Sequence, residues 1–232
     1  MISAFAVLFA SCSGGRETAT GVERIVFLGD SITASGDEPG GYVSLVRDSL
    51  LRSTDGRIRV IGAGVSGNRV PDLLTRVDHD VIELKPTLTI IYIGINDVWH
   101  WALFNRGTPK AEYEAGLNEL IGKIQNAGSG VILCTPSVIG EKRQGANPSD
   151  SLLAEYAQIS RSVATSMHVQ LLDLNNAFAK YEQAHNPLNA EKGILTIDGV
   201  HLTSEGNKLV ARLMLAAIVE HRETAQTTNE HR

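Results

Sequence analysis

The sequence predicts an α/β fold: one domain built on a parallel sheet with helices on both faces. Three observations carry this. Strand-like apolar runs alternate with amphipathic stretches along most of the chain, the order that yields strand–helix–strand units. The runs are continuous in Val, Ile and Leu, as strands buried on both faces must be. A length of 232 residues suits a single domain whose core needs no staples.

The elements follow in order. Residues 13–22 are small and polar and read as a linker. Arg24–Leu28 is a first strand, and Tyr42–Leu51 a helix with apolar residues at helical spacing. Ile58–Ile61 is a second strand and Thr87–Ile93 a third, β-branched and unbroken. Ala111–Gln125 is a helix and Val131–Leu133 a fourth strand. Ser151–Met167 is a helix opened by Pro148-Ser149-Asp150. Val169–Leu172 is a short fifth strand, followed by a helix near 174–184. Thr203–Val219 is the last helix, with Thr203 as its N-cap. The domain is therefore placed at 23–222, with a leader and linker over 1–22 and a polar tail over 223–232. Residues 185–198 form the longest irregular connection, and such loops in compact domains tend to carry function.

Composition narrows the function. With 43% hydrophobic and 20% charged residues the chain reads as globular. A net charge of −5 without long runs of one sign argues against nucleic acid as a partner. Cys134 ends an apolar strand and reads as a buried, inert thiol. Cys12 follows a short apolar stretch, Ala4 to Ala10, which is too short to span a bilayer needing roughly 20 residues. An apolar segment before small residues is similar to a secretory signal. Phe9-Ala10-Ser11-Cys12 also resembles a bacterial lipoprotein signal, with Cys12 as the site of a lipid anchor. Export, to a periplasmic or membrane-anchored location, is the expectation.

In an open parallel sheet, ligands bind beyond the carboxyl ends of the strands. Three Gly-containing turns lie there: Gly29-Asp30-Ser31, Gly62 to Gly67, and Gly94-Ile95-Asn96-Asp97. A serine hydroxyl needs an adjacent base to act as a nucleophile, and Ser31 follows its strand directly. Asn96 ends the most hydrophobic strand, where its amide can donate to developing negative charge. Gly67 lets the backbone come close to a ligand and offer its N–H. Asp198 and His201, three positions apart, can share one side of a tight turn. The carboxylate can then hold one imidazole nitrogen and leave the other free for a serine proton. Each residue has a bland alternative, as helix cap, self-satisfied turn Asn, turn glycine or half-buried His. The four together are specific.

Gly29-Asp30-Ser31-Ile32, Gly67, Gly94-Ile95-Asn96-Asp97 and Asp198-Gly199-Val200-His201 resemble, in order, the four blocks of the GDSL/SGNH hydrolases. The resemblance implies a flavodoxin-like three-layer sandwich with a five-stranded parallel sheet in the order 2-1-3-4-5. It implies ester or thioester hydrolysis through a serine acyl-enzyme, with no metal and no organic cofactor. By the same resemblance Ser31 is the nucleophile, His201 the base and Asp198 its orienting acid. Ser31, Gly67 and Asn96 form the oxyanion hole. Asp30 and Asp97 read as carboxylates that fix tight turns. Asp30, with Trp99, His100 and Trp101 beside the third turn, is also carried as a candidate substrate contact. Arg69 and Arg106 could meet an anionic substrate.

Two rival functions have some footing in the sequence. Gly62-Ala63-Gly64-Val65-Ser66-Gly67 is a complete G-x-G-x-x-G after a strand, the dinucleotide fingerprint. Pro71-Asp72 follows too closely for the required helix to open inside the glycines, and no acidic residue ends the next strand. A non-catalytic binding module would not need the full Ser, Gly, Asn, Asp and His set. Asp78-His79-Asp80 lacks a further metal ligand at suitable spacing and reads as an exposed polar helix start. The substrate expectation is a short acyl ester, an acetyl group on a carbohydrate, because no apolar tunnel or lid is evident. A lysophospholipase or thioesterase is the alternative within the same chemistry.

Overall fold

The computed structural model describes residues 22–54 and 56–230. The leader with Cys12 and its proposed lipid anchor lies outside these residues. The order of elements is β1 (Glu23–Gly29), α1 (Ser31–Asp37), α2 (Tyr42–Thr54), β2 (Ile58–Gly64), α3 (Val70–Asp80), β3 (Leu88–Tyr92), α4 (Ile95–Phe104), α5 (Lys110–Asn126), β4 (Gly130–Cys134), α6 (Asp150–Ser166), β5 (Gln170–Leu172), α7 (Leu174–His185) and α8 (Ser204–Glu230). A 3₁₀ turn, Ile82–Leu84, precedes β3.

All strand pairs are parallel, and the sheet runs β2-β1-β3-β4-β5. The chain winds outward from β1 to β2, then crosses back to β3 and continues the other way. That reversal opens a crevice at the carboxyl ends of β1 and β3. The continuous apolar runs are buried on both faces: Val26, Leu28, Ile90, Ile91, Ile132 and Leu133 are all sealed from solvent. α2 packs with α1 and α8, while α3 packs with α5 and α5 with α6, so the sheet lies between two helical layers. The thiol of Cys134 is buried, which pushes its ionisation up.

Three helices escape a reading by long apolar period: α1, α3 and α4. α1 and α4 start at the catalytic-type turns themselves, so their first residues look like loop in sequence. α3 ends with Asp78-His79-Asp80, which makes this triplet a helix terminus and not a start. Its side chains are already engaged: Asp78 with Lys123 at 2.8 Å, and Asp80 with both Arg76 at 2.7 Å and His79 at 2.8 Å. The last helix continues past Val219 to Glu230. Thr203 does cap it, its hydroxyl accepting from Gly206 N at 3.1 Å.

The glycine-rich stretch has a packing role. β2 extends through Gly64, and α3 opens only at Val70. A Cβ on Gly64 would lie 2.1 Å from the backbone nitrogen of Ala34 in α1. The missing side chain therefore lets α1 lie directly on the end of β2.

Candidate active site

β1 delivers Asp30 and Ser31 to the crevice. Asp30 is the N-cap of α1, its carboxyl accepting from Ile32 N at 2.9 Å. It is 2% exposed and faces no solvent. Burial pushes its pKa up to about 7, with neighbouring Asp97 adding to the rise and the Ile32 N–H opposing it. Ser31 is the first residue of α1, so its own N–H has no partner within the helix.

The Asp198–His201 pair arrives from the far end of the chain. Residues 193–203 fold back on themselves: Thr196 bridges Leu202, Ile197 N donates to His201 O at 2.7 Å, and Thr203 N donates to Leu195 O at 2.8 Å. At the tip, Asp198 Oδ1 accepts from Val200 N at 3.0 Å and His201 N at 2.8 Å, forming the turn itself. Its other oxygen, Oδ2, lies 2.8 Å from His201 Nδ1. Burial raises the Asp198 carboxyl, but the ring and backbone N–H groups outweigh this and hold it below its ordinary value. An ionised carboxylate only accepts, so Nδ1 carries the proton and Nε2 is left with its lone pair. The Ser31 hydroxyl donates to that Nε2 across 2.9 Å. Residues 170 positions apart thus meet as a hydroxyl, an imidazole and a carboxylate in line.

Gly67 sits at φ +79°, a conformation that side chains resist, and open space surrounds the place where a Cβ would be. Asn96 is in the first turn of α4 and is 4% exposed. One amide N–H of Asn96 goes to Asn68 O at 3.0 Å, which leaves the other without a protein acceptor among the described residues. Asp97 is buried and accepts from Val70 N at 3.1 Å, tying α4 to the start of α3. Burial pushes its pKa up to about 6. Chemically, the assembly can pass a serine proton to imidazole and offer amide donors to an oxyanion.

Trp99, His100 and Trp101 are consecutive in α4, about 100° apart around the axis, so they cannot share a face. Trp99 meets the His201 ring edge-on, with centroids 6.4 Å apart. With Asp198, Gly199 and Pro148 it borders a cleft of about 250 Å³. His100 stacks edge-on with Phe104 at 5.2 Å and borders a second, open cleft of about 620 Å³ with Gly67, Arg69 and Arg106. Trp101 lies against Gly107.

Two residues at the site carry no sequence motif. Glu141, in the irregular segment between β4 and α6, is 0% exposed. It accepts from Ile194 N at 2.8 Å, Leu195 N at 2.7 Å, Thr196 N, and the Thr196 hydroxyl at 2.7 Å. It therefore clamps the base of the loop that carries Asp198 and His201. The neighbouring Gly140 N donates to Gly199 O at 2.8 Å, at the tip of the same loop. Arg76 of α3 reaches the ends of β1 and β2. Glu141 stands where Val138-Ile139-Gly140 gives way to Lys142-Arg143-Gln144, so no local pattern separates it from an ordinary surface carboxylate.

Among known proteins, the chain is similar to esterases. The model of the GDSL-like Lipase/Acylhydrolase family matches residues 27–209. An acetylxylan esterase of Geobacillus stearothermophilus is 32% identical over 213 residues, covering 84% of this chain and 94% of that protein. An arylesterase of Vibrio mimicus is 25% identical over 219 residues, covering 93% and 96%. The crystal structure of the acetyl xylan esterase AlAXEase superposes with a TM-score of 0.82 at 38% identity, covering 84% of this chain and 99% of that one.

Proposed function

Because the chain belongs to the GDSL-like lipase/acylhydrolase family and is a carboxylic ester hydrolase, we propose that it removes acetyl groups from carbohydrate esters, with Ser31, His201 and Asp198 as its triad. The observation that carries this reading is the hydrogen-bonded line from Ser31 Oγ to His201 Nε2 at 2.9 Å and from His201 Nδ1 to Asp198 at 2.8 Å.

Ser31 Oγ attacks the acetyl carbonyl carbon as its proton moves to His201 Nε2. The carbonyl oxygen becomes an oxyanion, received by the N–H groups of Ser31 and Gly67 and the free amide N–H of Asn96. Asp198 holds the ring and offsets the imidazolium charge. The tetrahedral intermediate then expels the sugar alcohol, which takes the proton from Nε2, and leaves acetyl-Ser31. Water repeats the sequence: His201 takes its proton, acetate departs, and the proton returns to Ser31.

The carbohydrate assignment is supported by relatives named as acetylxylan esterases. It is also supported by Trp99, whose ring lies beside that of His201 and borders a cleft with Asp198 and Gly199. A tryptophan face there suits the C–H surface of a sugar. The decisive experiment is a panel of p-nitrophenyl esters from C2 to C12 beside acetylated xylo-oligosaccharides, run on wild type and Ser31→Ala. The expected result is highest kcat/KM on acetyl esters, and neither turnover nor fluorophosphonate labelling in the variant. A maximum at C8 or longer would shift the assignment to a lysophospholipase or thioesterase.

A further inference from the structure

Arg76 lies on α3, a helix whose Val70, Leu73 and Val77 are buried in the core. Its side chain is only 15% exposed, although arginine is among the residues least often buried without a purpose. The guanidinium points to the carboxyl ends of β1 and β2. Nη2 donates to Gly29 O at 2.8 Å, two residues before Ser31. Nη1 donates to Ala63 O at 3.0 Å and to Asp80 at 2.7 Å. Nε donates to the Asn68 side-chain oxygen at 2.7 Å. Asn68 follows Gly67, and its backbone oxygen accepts from the Asn96 amide at 3.0 Å. One planar group thus touches the strand bearing the nucleophile and the turn bearing Gly67. Through Asn68 it also reaches the donor of Asn96.

We propose that Arg76 is a positioning residue that sets the Gly67 and Asn96 oxyanion donors against Ser31, by bridging the carbonyl of Gly29 to the side chain of Asn68. This rests on the roles proposed above for those three residues. The physical reason is rigidity. At the ends of parallel strands the ladder stops and the following turns are free to drift. A guanidinium spans several acceptors in a fixed plane, whereas a lysine ammonium is a single point that cannot reach Gly29, Ala63 and Asn68 together. Drift matters because donors that stabilise an oxyanion must keep hydrogen-bond distance to it, about 2.7–3.1 Å, and a misplacement of about 1 Å can cost on the order of 100-fold.

The test compares Arg76→Lys and Asn68→Ala with wild type, with Asn96→Ala as a control. Asn68→Ala cuts only the link to the turn and leaves Arg76 on the strand carbonyls, so it serves even where Arg76→Lys fails to fold. Each protein is assayed on p-nitrophenyl acetate and on its thiono analogue, in which sulfur replaces the carbonyl oxygen. Sulfur accepts hydrogen bonds weakly, so displaced donors slow the oxygen ester selectively. General loss of stability slows both substrates alike. For Arg76→Lys we expect kcat on the oxygen ester to fall roughly 10–100-fold with KM little changed, and the oxygen-to-thiono rate ratio to fall with it. Asn68→Ala should move the ratio in the same direction by less. If Asn96→Ala lowers the ratio while both other variants keep the wild-type value, Arg76 does not position the donors. If Asn96→Ala leaves it unchanged, the oxyanion roles themselves fail, and this inference with them.

Discussion

Glu141 offers a quantitative test of how the Asp198–His201 loop is held. Its carboxylate is sealed from solvent and receives three backbone N–H groups and one hydroxyl. Glu141→Ala strands all three N–H groups in the interior. At about 1–3 kcal/mol for each unsatisfied donor the cost is roughly 3–9 kcal/mol. That is comparable to a typical total stability of about 5–15 kcal/mol, so the variant should be largely unfolded or close to it. Glu141→Gln is milder and more informative. Its oxygen can replace Oε1, which serves Leu195 and Thr196. Its NH₂ then faces Ile194 N, a donor against a donor, where Oε2 accepted at 2.8 Å. One stranded pair costs about 1–3 kcal/mol, which lowers Tm by roughly 2–12 °C in a chain of this size. The assay is thermal unfolding with amide hydrogen exchange. Exchange should accelerate across 194–202, and kcat should fall because His201 loses its fixed bearing on Ser31. A Glu141→Gln protein melting within a degree of wild type, with that loop equally protected, would refute the clamp.

Other expectations follow from the same geometry. Asp30 ionises near pH 7 when folded but near its ordinary 3.8 when unfolded. The folded state therefore holds the extra proton between those values, and stability falls as pH rises through this window. Asp30→Asn keeps an oxygen for the Ile32 N–H and has no charge to bury. Relative to wild type it should gain up to about 4 kcal/mol between pH 4 and pH 7, and urea melts showing a constant difference across that range would contradict this. Asp198→Asn should lower kcat by on the order of 10⁴, since an amide there can hold the imidazole in the wrong tautomer; steady-state kinetics on p-nitrophenyl acetate measure it. Gly64→Ala drives a methyl into the Ala34 backbone at 2.1 Å. It should cost about 1–3 kcal/mol and slow fluorophosphonate labelling of Ser31, and unchanged melting and labelling would show that α1 tolerates the displacement.

Much of this site is written locally. Ser31, Gly67 and Asn96 each follow a strand within a few residues, so once the strands are recognised their turns fall on one rim of the sheet. The strands themselves declare their burial through unbroken Val, Ile and Leu, because a segment covered on both faces has no side left for polar residues. Asp198 and His201 are legible as a pair because one turn holds both. The helices α1, α3 and α4 lack such a signature, since the polar caps and glycines at or just before their starts have the same composition as loop. What the tertiary structure alone decided is which distant groups support that rim. Nothing near Glu141 in sequence announces that it will receive the backbone of residues 194–196. Nor does anything near Arg76 announce that it will join the ends of two strands to Asn68. Local patterns encode periodicity and turn chemistry, and these act over a few residues. A buried charge, by contrast, takes its partners from whatever backbone donors and acceptors the packed layers leave unpaired, and those exist only once the chain has folded.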